Sequence, residues 1–362
     1  MMIKKEDVLE ALKSVLDPDS GKDIVSGSQV SDLAIEDDSI NFKLVVKNPA
    51  MQHKKRMEDA CLFAIERNFG KEVKCTVEIS SVSSAPSNAI KGVKQIIAVA
   101  SGKGGVGKST VTSNLALGLK NKGYKVAIVD ADVYGPSIPI MFNVADERPA
   151  SVPVEGSNKM LPVIGYGIQI MSLGFFAEPD QPIVWRGAMV SKALKQMFFE
   201  TEWDDVDYML VDLPPGTGDI HLSLVQSTPV SSAIMVTTPQ DVAIADVRKG
   251  VAMFKMPNVN VPVLGIIENM SWFTPEELPE NKYYIFGKNG GAVLAEKLNL
   301  PLLGQIPLVQ SVREAGDAGR PAILQSDTEI SKDLVKLVDE VILHQDKRIK
   351  ELPETKVVQM TK

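Results

Sequence analysis

The chain has 362 residues, of which 44% are hydrophobic and 23% are charged, and its formal net charge is −7. This composition indicates a globular protein with room for one large core and a smaller second domain. The acidic balance, without any patch dense in Lys and Arg, argues against a dedicated nucleic-acid-binding protein. The two cysteines and three histidines show no metal-ligand spacing, which argues against a zinc finger and a disulfide scaffold.

The first residues are charged and lead into an amphipathic pattern rather than an apolar signal core. No segment approaches the roughly 18 consecutive apolar residues that a membrane span requires. We therefore expect a cytoplasmic protein that does not insert stably into a membrane.

Residues 1–80 are predicted to form a small α/β domain. Apolar residues at helical spacing predict a first helix near the start, and the alternation over 39–46 predicts a strand. Residues 51–69 are typical of a second helix, and 73–79 of a last strand. The Ser-rich composition and the proline within 81–93 predict a flexible linker.

From residue 94 to 345, short apolar runs alternate with amphipathic helices and predict a larger second domain. The runs predicted to be strands are 96–100, 126–129, 208–211, 233–236, 263–267 and 302–303. Runs this uniformly apolar are typical of a mostly parallel sheet covered by helices on both faces, an α/β fold. Right-handed crossovers would place the carboxyl ends of the strands at one edge, where ligands bind.

The C-terminal region is predicted to form a helix, followed by a polar tail over 346–362. Apolar residues share one face of 328–343, while the polar face mixes Lys with Asp and Glu. A helix on a membrane surface is the alternative, but such helices are rich in Lys and Arg on their polar face. We therefore expect this helix to pack on the sheet.

A phosphate-binding loop follows the first strand of the second domain, where the sequence matches G-x-x-x-x-G-K-[ST] between a strand and a helix. The glycines let backbone N–H groups converge on phosphate oxygens, and the helix directs its positive dipole end at them. Lys108 is predicted to neutralise β- and γ-phosphate charge, and the Ser109 hydroxyl to bind Mg²⁺. The predicted ATP-binding residues of the loop are Gly102, Lys103, Gly104, Gly105, Val106, Gly107, Lys108, Ser109 and Thr110.

Carboxylates end two further predicted strands. Asp130 and Asp132 are two residues apart, so both side chains point the same way, toward the phosphate edge. Asp130 is predicted to hold the water shell of the metal or to stabilise the loop. Asp212 follows an apolar strand in the Walker B arrangement and is predicted to hold Mg²⁺. The two prolines and the glycine over 214–216 suit a switch that senses the γ-phosphate.

The additional lysine of the loop, Lys103, makes it resemble the deviant Walker A class of the MinD, ParA and ArsA ATPases. This resemblance implies that Lys103 reaches the nucleotide of a partner subunit, so that ATP lies between two copies of a homodimer. It also implies that Asp132 positions or activates the attacking water, that Asn269 hydrogen-bonds the adenine, and that a loop containing Pro307 packs on the base. Lys103, Lys108, Asp132 and Asp212 are therefore the expected catalytic residues of a slow ATPase.

The order of the motifs resembles the Mrp/ApbC family of iron–sulfur cluster carrier ATPases. The motifs are Gly-Lys-Gly-Gly-Val-Gly-Lys-Ser, Asp-Ala-Asp-Val-Tyr-Gly-Pro-Ser, Val-Trp-Arg-Gly, Asp-Leu-Pro-Pro-Gly-Thr-Gly-Asp, Thr-Pro-Gln-Asp and Glu-Asn-Met. This resemblance covers about 94–325, and the first domain resembles the MIP18-like domain through Leu-Asp-Pro and Asp-Ile-Val-Ser. It implies ATP and Mg²⁺ as ligands, an iron–sulfur cluster as cargo, and apoproteins or scaffold proteins as partners.

The family's C-x-x-C after Glu-Asn-Met, whose thiolates bind a cluster between two subunits, is absent from this chain. Cys61 and Cys75 lie in the other domain and are expected in its core. The cluster ligands therefore stay unidentified, and the main hypothesis is a carrier that binds its cluster unconventionally or works with a partner scaffold. The alternative is a MinD/ParA-type dimeric switch that organises a protein partner without a cluster. A non-catalytic nucleotide-binding adaptor is disfavoured because Asp132 and Asp212 are both present.

Overall fold

The chain divides into two compact units, residues 1–87 and residues 88–362. The computed structural model describes residues 4–17, 22–27, 29–36, 39–46, 51–70, 72–81, 90–154, 157–176, 187–218, 221–222, 224–225, 228–257, 259–275 and 277–352. Most of the predicted linker, 81–93, lies outside these residues. Its last residue, Val93, already belongs to a strand of the second unit.

The first unit contains three strands and two helices. They are α1 (Lys5–Leu12), β1 (Val30–Glu36), β2 (Ser39–Val46), α2 (Met51–Phe69) and β3 (Lys74–Ser81). The sheet has the order β1-β2-β3, with β1 antiparallel and β3 parallel to β2. The sequence did not predict β1 because an irregularity between Ser31 and Ala34 shifts its register and interrupts the alternation of apolar residues.

The second unit is built on an eight-stranded sheet. Its strands are β4 (Val93–Ser101), β5 (Val126–Asp130), β8 (Val163–Gly165), β9 (Ile168–Ser172), β10 (Val206–Asp212), β11 (Ser232–Thr237), β12 (Val263–Phe273) and β13 (Leu302–Leu308). The order is β13-β12-β11-β4-β10-β5-β9-β8, and every neighbouring pair is parallel except β8 with β9. A separate hairpin joins β6 (Ala150–Val154) to β7 (Ser157–Leu161).

Helices cover both faces of this sheet, which confirms the predicted α/β class. The helices are α3 (Lys108–Asn121), α4 (Ile138–Met141), α5 (Gly187–Phe199), α6 (Asp241–Phe254), α7 (Gly290–Leu298), α8 (Gln310–Asp317) and α9 (Glu329–Glu351). Alternate residues of β4 enter opposite cores: Val99 joins residues of α3, α8 and α9, whereas Ala98 joins residues of α5, α6 and α7. A strand buried on both faces needs apolar residues at every position, which is why the apolar run in the sequence predicted β4.

The predicted boundary at residue 345 is wrong, because α9 continues to Glu351. The helix begins where the Thr328 hydroxyl accepts a hydrogen bond from the backbone N–H of Ser331. Beyond the predicted end, Gln345 is fully buried; it accepts a hydrogen bond from Ser232 and donates one to Gln95. A buried polar residue such as Gln345 does not contribute to the periodicity of apolar residues. The sequence therefore predicted that the helix ends too early. Among the described residues, no helix is both long and apolar enough to cross a membrane.

Candidate nucleotide-binding site

The loop between β4 and α3 has the backbone that the glycine motif predicts. Gly105 and Gly107 have φ values of +79° and +82°, in the left-handed region that favours glycine. Gly107 is also the N-cap of α3, and within the described residues no side chain caps that end of the helix. Free N–H groups and the positive end of the helix dipole therefore converge at Lys108, as anion binding requires.

Two other glycines of the loop differ in what surrounds them. A Cβ atom at Gly102 would lie 2.5 Å from the backbone of Asp246 and Val247 in α6, so only glycine fits against this helix. A Cβ atom at Gly104 would meet the nearest atoms, those of Pro215, at 3.8 Å, which is ordinary van der Waals contact. The close approach at Gly102 fixes the start of the loop on α6.

Lys108, Ser109 and Asp212 form a buried hydrogen-bonded group at the mouth of α3. One oxygen of Asp212, Oδ2, accepts from Lys108 Nζ at 2.8 Å and from Ser109 Oγ at 2.5 Å. The side chain of Lys108 is 6% exposed and that of Asp212 is fully buried. Burying an ionic pair costs free energy unless its hydrogen bonds are satisfied, so such a group is more typical of function than of stability.

Thr112 completes this group and was missed in the sequence. Its hydroxyl donates to Asp212 Oδ1 at 2.7 Å and lies 3.0 Å from the Lys108 carbonyl. Both oxygens of Asp212 are thereby held by side chains of α3. The spacing could have revealed it, since residue 112 lies one helical turn after Lys108 and faces the same strand end.

The structure gives Asp132 and Asp130 different surroundings. Asp132 Oδ2 lies 3.6 Å from Lys108 Nζ, and the residue lines the phosphate-loop cavity. Asp130 is fully buried, and its carboxylate accepts hydrogen bonds from Ser172 and from the backbone N–H groups of Asp132 and Ile138. Burial, and then the charge of Asp212, raise the pKa of Asp130 to about 8. These contacts favour loop stabilisation, the second of the two roles predicted for Asp130.

The loop encloses a cavity of about 260 Å³ at the carboxyl edge of the sheet. Its lining residues are Ser101, Lys103, Gly104, Gly105, Val106, Gly107, Lys108, Ser109, Thr110, Asp132, Gly135, Ser137, Met141 and Pro215. A larger cavity of about 620 Å³ lies at the opposite edge, around Val126 at the start of β5. The smaller cavity is the candidate site because the loop amides, the helix end and Lys108 all meet there, whereas the larger one has no such anion-binding arrangement.

Lys103 lines the same cavity, and its Nζ donates to Gln240 Oε1 at 2.9 Å. Gln240 directly precedes α6 and was not predicted as a site residue. The signature lysine is thus held within its own chain by a neutral partner. An amide oxygen compensates the lysine charge less than a carboxylate would, so this contact can be exchanged for a phosphate.

Asn269 and Pro307, expected at the adenine, do not line this cavity. Asn269 Nδ2 donates to the Val106 carbonyl at 2.8 Å and so supports the loop from β12. Val106 itself is 2% exposed and packs in the core, so only its backbone is available to a ligand. Pro307 lies in the edge strand β13. Contact of Asn269 or Pro307 with a base stays a prediction.

The donor set fits a magnesium ion brought by a nucleotide. Ser109 Oγ and the Asp212 carboxylate are adjacent hard oxygen ligands of the kind that Mg²⁺ prefers. The Asp130 carboxyl group instead faces Ser172 and the backbone N–H groups of Asp132 and Ile138. Ser109 and Asp212 are therefore the better-placed of the three predicted metal ligands.

Neither cysteine is suited to holding a metal. Cys61 is fully buried in the core of the first unit, and Cys75 packs against that core. Burial raises the pKa of the Cys61 thiol to about 12 and that of Cys75 to about 11, which keeps both protonated at neutral pH. Within the described residues, no cluster of three or more His, Cys, Asp or Glu side chains could hold a metal ion.

The fold and the site define a P-loop NTPase domain preceded by a small α/β domain. The family model described as NUBPL iron-transfer P-loop NTPase matches residues 92–342, and the chain belongs to this family. A second model, described as iron–sulfur cluster assembly protein, matches residues 5–79. The predicted resemblance to the Mrp/ApbC carriers and to the MIP18-like domain is thereby confirmed.

Relatives found by sequence and a solved structure both agree with this assignment. The chain is 40% identical over 348 residues to the iron–sulfur cluster carrier protein of Synechocystis, covering 94% of this chain and 97% of the relative. It is 45% identical over 268 residues to the mouse iron–sulfur cluster transfer protein NUBPL, covering 73% and 81%. Among solved structures, a nucleotide-binding protein from Archaeoglobus fulgidus in complex with ADP is 35% identical, with a TM-score of 0.56, covering 64% of this chain and 88% of that one.

Proposed function

We propose that this protein is an ATP-hydrolysing iron–sulfur cluster carrier. The observation that carries the proposal is the buried group of Lys108, Ser109 and Asp212 beside the glycine loop. Relatives that match more than nine-tenths of the chain are named iron–sulfur cluster carrier proteins, which favours this function over a switch without a cluster.

Different residues bind the phosphates and orient the water that attacks them. The loop amides and Lys108 bind the phosphates, and Lys108 then exchanges part of its contact with Asp212 for phosphate oxygens. Ser109 and Asp212 would hold Mg²⁺, which would supply positive charge to the phosphates. Asp132, which lies on the cavity wall 3.6 Å from Lys108, orients the attacking water.

The proposed function also involves a second copy of the chain. Lys103 reaches the cavity edge, where exchanging Gln240 for a phosphate of a partner subunit would join two copies around nucleotide. A homodimer formed in this way would dissociate after hydrolysis, which gives the carrier two states. The deviant loop, with its additional lysine, supports this step.

The cargo is proposed to be held with thiolates that a partner supplies. The chain lacks the C-x-x-C of its family, and its two cysteines are buried or half-buried, protonated thiols. Iron–sulfur clusters are held mainly by thiolate sulfur, so a scaffold or an apoprotein must contribute ligands. The two free cysteines also suit the reducing cytoplasm.

A transfer assay tests the proposal. A cluster-loaded scaffold protein is mixed anaerobically with apo-aconitase, and aconitase activity is followed with and without this protein and Mg-ATP. We expect transfer to be faster with the wild-type protein and to return to the background rate with Lys108→Ala. Equal rates with and without the wild-type protein would contradict the carrier function.

The source of the ligands is tested by reconstitution with iron and sulfide, followed by absorbance and iron counting. We expect little bound iron in the chain alone, and the same amount in the Cys61→Ser, Cys75→Ser double variant. A turn joins the Leu278 N–H to the Pro275 carbonyl at 3.2 Å. Pro275→Cys with Leu278→Cys therefore creates a C-x-x-C there and should raise iron binding. A full cluster in the wild-type chain that is lost in the Cys61, Cys75 variant would contradict the proposed ligand source.

A further inference from the structure

The segment after Asp212 connects the metal-binding carboxylate to the wall of the cavity. Its ends are held by β4: Leu213 N–H donates to the Val99 carbonyl at 3.1 Å, and Gly216 N–H donates to the Ser101 carbonyl at 3.0 Å. Pro214 and Pro215, which lie between, have no N–H group. The backbone of these prolines can therefore be anchored only through its carbonyl oxygens.

His221 provides such an anchor. Its Nε2 lies 2.7 Å from the Pro214 carbonyl oxygen, and the residue is 2% exposed. Because a carbonyl oxygen only accepts, Nε2 must carry the proton of the ring and donate it. The backbone N–H of His221 also donates to the Gly218 carbonyl at 3.0 Å, a second contact between His221 and this segment.

The second ring nitrogen shows that this contact is not ordinary core packing. Nδ1 is buried and has no hydrogen-bond partner within the described part of the chain. A buried acceptor without a partner costs free energy, and an apolar residue at this position would avoid that cost. Burial lowers the pKa of His221, and the charge of Lys108 lowers it further, so the ring is neutral and lies within reach of the charges at the cavity.

Pro215 carries the effect of this contact to the site. It lines the cavity and is the residue that faces Gly104 of the loop, where a Cβ atom would lie 3.8 Å from its side chain. The carbonyl that accepts from His221 belongs to the peptide bond between Pro214 and Pro215, so this contact also positions Pro215. Loss of the anchor would let this wall move while the loop amides and Lys108 stay in place.

We propose that His221 is a positioning residue for hydrolysis, which holds the Pro214–Pro215 peptide so that the cavity wall keeps the attacking geometry. The proposal rests on the proposed ATPase function. His221 contacts no reacting group itself, so it acts on turnover and not on nucleotide affinity. Misplacement of a supporting group by about 1 Å can lower turnover up to about a hundredfold.

The test compares three substitutions of His221 by kcat, by the ATP dissociation constant and by melting temperature. His221→Phe keeps a flat aromatic ring, although a larger one, and removes the donor. His221→Asn keeps a donor that is too short to reach Pro214, whereas His221→Gln places an amide nitrogen near the position of Nε2. His344→Phe, on α9 and outside the lining of the cavity, is the control for a His-to-Phe change. We expect kcat to fall at least about tenfold in the Phe and Asn variants, with ATP affinity unchanged, and to recover in the Gln variant.

Several results would contradict the role proposed for His221. Wild-type kcat in His221→Phe or His221→Asn would overturn the proposal, as would a loss of ATP affinity in parallel with kcat. If His221→Phe does not fold, the comparison of His221→Asn with His221→Gln decides the question in the same way. A wild-type protein without ATPase activity would contradict the proposed function itself, which separates the two failures.

Discussion

Lys108 is the residue around which the charges of the site are arranged. Its ammonium group lies 2.8 Å from Asp212 and 3.6 Å from Asp132, and its side chain is only 6% exposed. In this structure, Lys108 is thus paired with both carboxylates. A nucleotide phosphate must therefore compete with Asp212 for Lys108, and the loop amides, the dipole of α3 and Mg²⁺ have to offset that competition.

Asp132 is the residue at which the proposed mechanism separates nucleotide binding from hydrolysis. Asp132→Asn keeps the volume and removes the negative charge, so we expect ATP to bind at least as well as in the wild type. We expect kcat to fall about a hundredfold or more, because an amide does not orient or activate water as a carboxylate does. Phosphate release and ATP titration measure the two effects, with the exposed Asp146→Asn as the control. Unchanged phosphate release in Asp132→Asn would remove Asp132 from the proposed mechanism.

The sequence predicted best those site residues that lie within a short continuous motif or directly at the end of an apolar strand. The glycine loop, Lys108 and Ser109 form one continuous motif, and Asp212 follows an apolar strand directly. Gln240 and His221 act across the fold, on Lys103 and on Pro214, through contacts that no spacing in the sequence encodes. Their roles could be found only after the strands had been placed side by side.

At the scale of elements, the loop depends on how closely it lies on α6. Gly102→Ala would place a Cβ atom 2.5 Å from the backbone of Asp246 and Val247, and a helix backbone cannot yield cheaply. We expect a loss of about 1–3 kcal/mol in stability, as for other overpacked sites. Melting temperature measures this loss, and Gly104→Ala, whose Cβ atom has ordinary contacts, is the stability control. Equal melting temperatures for the two variants would show that the loop is not fixed by α6.

The sequence predicted six strands of the large sheet, including β13 at one edge, and missed β9 and β8 at the other edge. β4, β10 and β11 are buried on both faces and read as continuous apolar runs. Gln169 interrupts the run of β9, near the edge, and the three-residue β8 is too short for a pattern.

At the scale of the whole molecule, the proposal requires two states. Lys103 is bound to Gln240 of its own chain here, and nucleotide from a second copy would replace that partner. We expect light scattering to show a dimer with a non-hydrolysable ATP analogue and a monomer without it. Lys103→Ala should stay monomeric with the analogue, whereas Lys249→Ala, at an exposed position on α6, should behave as the wild type does. A Lys103→Ala protein that dimerises normally would contradict the role given to this lysine.

The first unit buries Cys61 in its core and packs the half-buried Cys75 against that core, so the chain offers no preformed thiolate site in its described part. The family resemblance predicted the function from motifs in the second unit, while the missing C-x-x-C predicted a different source of cluster ligands. Both follow from named residues, but the identity of the partner depends on surfaces that a single sequence does not specify.

The most direct test of the account is ATP titration of the wild-type protein and of Lys108→Ala by calorimetry in the presence of Mg²⁺. We expect binding to one site per chain in the wild type and affinity about a hundredfold weaker in the variant, because a buried charge partner of the phosphates is lost. Lys120→Ala, on the same helix and exposed, should bind as the wild type does. Equal affinity in Lys108→Ala and the wild type would show that the phosphates do not bind at this loop.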